Sequence, residues 1–139
     1  MEGEVGKVQI FVCVDDNDGM LFNNRRQSKD GTVIEKVREI AGNHKLWIRN
    51  FSRKLFVENV TTDDDMLMKA KAEDYCFVED VSLSEYADRI DAVYIFRWNR
   101  KYPSDFKFNM DLEKYFHLEK AEEFTGSSHE KITLERWIR

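Results

Sequence analysis

Four consecutive residues, Arg25-Arg26-Gln27-Ser28, bring two guanidinium groups, an amide and a hydroxyl into one short segment. Similar groups recur far downstream at Arg97, Asn99, Arg100 and Tyr102. A guanidinium is a planar fork that meets carboxylate or phosphate oxygens in pairs. If the segments converge, Arg25, Arg26, Gln27, Ser28, Arg97 and Arg100 make a cationic cleft for a small anionic molecule: a carboxylate, a phosphate or a piece of RNA. The competing reading pairs these arginines with the chain's many acids. Asp16 and Asp30 are the carboxylates expected to act as acid or base if catalysis occurs.

Other clusters carry less. Asp15, Asp16 and Asp18 suit Mg²⁺ or Mn²⁺ by type, but Asp and Asn are ordinary turn residues, so no metal is expected. Asp63, Asp64 and Asp65 read as the acidic start of a helix. Gly126-Ser127-Ser128-His129-Glu130 holds a nucleophile, a base and a carboxylate. Adjacent residues rarely meet as a triad, so it reads as a hairpin loop. His44, His117 and His129 share no ligand spacing.

Composition limits the function classes. A chain of 139 residues with ten Phe, five Tyr and three Trp can bury a core and reads as one domain. A net charge of −5 disfavours a general nucleic-acid coat. Cys13 and Cys76 lie in apolar runs and read as buried free thiols in a reducing compartment. No apolar run approaches membrane length, so a cytoplasmic protein off the membrane is expected, as monomer or homodimer.

The elements that must position these groups follow from pattern. Residues 1–6 read as a frayed, disordered start. Val8–Val14 is apolar on both faces, as a covered central strand requires. Residues 20–29 read as polar and irregular. Asp30 or Thr32 caps a helix to about Ala41, with Val33, Val37 and Ile40 on one stripe and Gly42 as its C-cap. Lys45–Arg49 is a strand, followed by a short helix from Ser52. Thr61 or Thr62 caps another helix. Tyr75–Val78 is a buried strand, Ser82–Ala87 a helical turn and Asp91–Trp98 the longest strand. Residues 114–120 and 131–138 form an antiparallel pair. Trp47, Trp98 and Trp137 sit on strands and serve packing. Strands alternating with helices, then consecutive strands, predict a three-layer α/β domain. Its central sheet is mainly parallel, with antiparallel strands at the C-terminal end.

In this order the chain resembles a shortened, degenerate dihydrofolate reductase. The resemblance runs from Val8–Val14 with Asp16-Asn17-Asp18-Gly19-Met20 and Asn23-Asn24, through the helix at 32–41 and Leu46-Trp47-Ile48. It continues through Phe77-Val78, Ser84–Asp88 and Ile90–Ile95 to Asp105, Phe108, Asp111 and the final strand. It implies that fold, with NADPH and a pterin as the family's ligands.

The departures imply lost chemistry. Where the reductases place two glycines against the NADPH pyrophosphate, this chain has Glu79 and Asp80, whose carboxylates would repel phosphate. The Gly-Arg-Thr run after the second family strand is Ile48-Arg49-Asn50-Phe51-Ser52. The family's helix carboxylate falls at Val33, flanked by Asp30 and Glu35. The stretch 57–74 is short, so one nucleotide-binding strand is expected to be missing. The resemblance therefore implies the scaffold without the reductase activity, and no cofactor. Two alternatives remain: an NADPH-dependent reductase with a remodelled cofactor site, and a metal-dependent phosphodiesterase or ribonuclease using Asp15, Asp16 and Asp30.

Overall fold

The computed structural model describes residues 7–139, so the expected frayed start at 1–6 lies outside the described residues. The chain begins with β1 (Val8–Val14), β2 (Gly19–Phe22), β3 (Arg25–Arg26), α1 (Gly31–Ala41) and β4 (Leu46–Ile48). A 3-10 helix at Asn50–Leu55, β5 (Thr61–Thr62), α2 (Met66–Lys69) and β6 (Tyr75–Phe77) follow. A second 3-10 helix at Ser84–Arg89, β7 (Ile90–Arg97), β8 (Phe106–Lys107), α3 (Leu112–Tyr115), β9 (His117–Phe124) and β10 (Ile132–Ile138) complete it.

Seven strands form the main sheet in the order β5-β4-β6-β1-β7-β10-β9. From β5 to β7 every pairing is parallel, whereas β10 runs antiparallel to both β7 and β9. This is the mainly parallel sheet with antiparallel C-terminal strands expected from the element order. The central place of β1 between β6 and β7 follows from its two apolar faces. Val8, Ile10, Val12 and Val14 pack with Met66, Leu83, Met110 and Phe116 on one side. Phe11 packs with Val33, Val37, Ala41 and Phe96 on the other.

α1 covers that second face through its Val33–Val37–Ala41 stripe. Asp30 is its N-cap, accepting the Thr32 N–H at 2.9 Å. Gly42 ends it at φ +57° and ψ −125°, backbone that a β-carbon disfavours.

Several boundaries depart from the sequence reading. Residues 19–26 are a small hairpin, β2–β3, which pairs through β2 with β8. Thr61 and Thr62 cap no helix. They form β5, a two-residue strand parallel to β4. The helix there starts after Asp65, and Asp63 accepts the Asp65 N–H and the Lys69 ammonium. Residues 112–115 are a helical turn, and β9 starts at His117. No helix among the described residues is long and apolar enough to cross a membrane.

Candidate functional site

The cleft opens between the C-terminal end of β1, the β3–α1 segment and the end of β6. Cys13, Met20, Arg26, Gln27, Ser28, Val33, Glu79 and Trp98 are among the residues that line it. Its enclosed centre measures about 20 Å³, room for roughly one water.

An ion pair stands in its wall. Arg26 Nε and Nη2 donate to Glu79 Oε2 and Oε1 at 2.8 and 2.9 Å. The Ser52 hydroxyl donates to Glu79 Oε1 at 2.7 Å, and the guanidinium also reaches the Phe51 carbonyl and ring. The bonds to Glu79 outweigh burial and raise the Arg26 pKa. Beside it Arg49 Nε donates to Asp80 Oδ1 at 2.9 Å. The two acids that follow β6 are thus each matched by an arginine.

Asp15 is buried at the end of β1. Its Oδ1 accepts the N–H groups of Asn17 and Gly19, which close the turn. Its Oδ2 accepts the Tyr102 N–H at 3.0 Å and the Gln27 amide at 3.3 Å, bracing two cleft segments against each other. Burial opposes its ionisation, but these donors outweigh that penalty and lower its pKa. Gly19 is required by crowding, since a β-carbon there would lie 2.6 Å from Gln27 Nε2 and 2.5 Å from Ser104 Cβ. Gln27 Nε2 also donates to the Pro103 carbonyl, and its buried Oε1 has no hydrogen-bond partner among the described residues.

Asp30 is the second hub. Its Oδ1 accepts the N–H groups of Thr32 and Ser127 and the Ser127 hydroxyl. Its Oδ2 accepts the Ser128 N–H, the Ser128 hydroxyl and His129 Nδ1–H at 2.8, 3.2 and 2.9 Å. Burial again opposes ionisation, and the donors from His129, Ser128 and Ser127 hold the carboxyl far below its usual range. Gly126 permits this approach, because a β-carbon there would stand 2.4 Å from Asp30 Oδ2. His129 stacks on Trp98 with ring centres 4.4 Å apart and planes 21° apart. Its Nε2 lies 3.0 Å from Ser28 Oγ and 3.1 Å from the Tyr102 hydroxyl.

The expected site residues separate into distinct places. Arg26, Gln27, Ser28 and Asp30 share the cleft. Arg25 is exposed on β3. Arg97 is held by Glu135 at 2.9 Å and Asp18 at 3.3 Å. Arg100 borders a separate open depression of about 550 Å³ with Asn99, His129 and Lys131. Asp16 is exposed on the turn and does not line the cleft. In the cleft the positive charge of Arg26 is balanced by Glu79, and outside it that of Arg97 is balanced by Glu135. Among the described residues no group of three or more His, Cys, Asp or Glu is arranged to hold a metal ion.

Sequence reasoning set the Gly126–Glu130 run aside as a hairpin loop, whereas its Ser127, Ser128 and His129 bond to Asp30, almost a hundred positions away. The cysteines are free, with Cys13 at the cleft and Cys76 in the core. Burial raises both thiols, that of Cys76 to about 12, and the Glu79 carboxylate adds to the effect at Cys13.

No family model and no curated protein sequence matches this chain. Solved structures do. A dihydrofolate reductase from Enterococcus faecalis, complexed with NADP(H) and RAB-propyl, is similar with a TM-score of 0.69 at 10% identity. The match covers 96% of each chain. The chain has the dihydrofolate reductase-like fold.

Proposed function

We propose that this chain uses the dihydrofolate reductase-like scaffold without nicotinamide-dependent reduction, and that its cleft takes a small anionic ligand in exchange for Glu79. The observation that carries this reading is the two-point Arg26–Glu79 pair with its Ser52 support. Glu79 and Asp80 correspond by resemblance to the reductases' two pyrophosphate-facing glycines. Glu79 is paired with Arg26 and Asp80 with Arg49, so a dinucleotide pyrophosphate has to displace both carboxylates at once, whereas a small anion displaces Glu79 alone.

Arg26 is the one guanidinium in the cleft lining. A small carboxylate or phosphate replaces one anion by another at that fork, which keeps its charge compensated. Gln27 and Ser28 supply polar contacts beside it. Arg25 and Arg100 lie outside the enclosed centre and act on the approach of the anion, whereas Arg97 is already paired with Glu135 and Asp18.

The phosphodiesterase alternative needs free carboxylates, whereas Asp15 and Asp30 have their oxygens engaged by protein donors. The test is NADPH oxidation followed by absorbance with dihydrofolate present. The expected rate does not exceed the protein-free control. A rate that scales with protein concentration overturns the proposal.

A further inference from the structure

Ser28, His129 and Asp30 form a hydrogen-bonded relay that the cleft's ion pair does not use. The proton positions follow from the partners. All six contacts to the Asp30 oxygens come from groups able to donate. The carboxylate is therefore ionised, and His129 Nδ1 carries its proton toward it. In the neutral imidazole Nε2 is then left as an acceptor, facing the hydroxyls of Ser28 and Tyr102.

The placement is that of a nucleophile with its base behind it. The His129 and Asp30 side chains are 2% and 0% exposed, so water does not compete for their bond. Ser28 is half-buried and lines the cleft. The Trp98 stack fixes the imidazole plane. Joining α1 to the β9–β10 loop does not require Nε2, because Ser127 and Ser128 already make that connection to Asp30.

We propose that Ser28 is a nucleophile for small acyl esters, with His129 as general base and Asp30 as the residue that orients it. Ser28 Oγ bonds to the ester carbonyl carbon as its proton passes to His129 Nε2. Tyr102, no longer able to donate to a protonated Nε2, turns its O–H to the oxygen that gains charge. The carbon–oxygen bond to the alcohol then breaks, and the leaving oxygen takes the proton from Nε2. Water attacks the acyl-serine, gives a proton to His129 and releases the acid, and Ser28 recovers its proton. The sum is ester plus water to acid plus alcohol.

The test uses the full chain with p-nitrophenyl acetate, following p-nitrophenolate release and mapping acetylation by mass spectrometry. Acetyl on Ser28, with release slowed at least about 100-fold in Ser28→Ala, is the expected result. Acetylation confined to lysines or Cys13, or release unchanged in Ser28→Ala, overturns the proposal. Because His129→Gln can loosen the hairpin, a second measurement keeps that residue in place. Ser28→Cys is treated with iodoacetamide and the adduct mapped. A rate at position 28 roughly tenfold or more above that of a free peptide thiol is expected from an adjacent base. A rate at or below the peptide's overturns the proposal.

Discussion

At the scale of single residues, Asp30 should dominate the acid response. Its native pKa lies below the value of about 3.9 for an unfolded aspartate. The stability it contributes is therefore fully present above about pH 5 and is lost as pH falls toward the native value. Asp15 acts in the same direction. Urea melts from about pH 7 to about pH 3 should show falling stability, and Asp30→Asn should flatten the fall while costing about 3 kcal/mol at neutral pH. Stability that holds or rises toward acid would contradict this. Glu79→Ala strands Arg26 and Ser52 and should cost about 2 kcal/mol in the same melts. Gly126→Ala drives a methyl into Asp30 and Ile132 and should cost about 2 kcal/mol or more. A neutral result there would mean that the loop can retreat without loosening Asp30.

At the scale of elements, α1 was readable from end to end. Its apolar stripe, a cap at Asp30 or Thr32 and its terminal glycine are local signals, and in the structure the cap is Asp30. Gly42→Ala should cost about 1–2 kcal/mol by thermal melt, because its φ is positive and its ψ suits glycine. The short strands were not readable. β5 has two residues, and what makes it a strand is β4 alongside. β3 likewise pairs with β2, which contacts β8 from a distant part of the chain. Periodicity cannot register a two-residue element. The site was half legible for the same reason. Arg26, Gln27, Ser28 and Asp30 are close in sequence and stayed together, whereas Glu79 and His129 arrive through topology. The Gly-Ser-Ser-His-Glu run reads as a loop by itself, because its partner Asp30 sits at the start of α1.

At the scale of the whole molecule, the sheet order places the end of β1 beside β6 and β7, and the cleft forms where the β3–α1 segment meets that end. The same architecture holds NADP(H) in the similar enterococcal reductase structure. Here two acids follow β6, each fixed by an arginine. Loss of nucleotide binding on a retained scaffold is the central claim. It is tested most directly by titrating NADPH while following the melting temperature, with and without a folate analogue. A ligand that binds the native state raises that temperature in a saturable way. The prediction is no shift up to millimolar NADPH under either condition. A saturable rise would contradict it, since the phosphates would then be held despite Glu79 and Asp80.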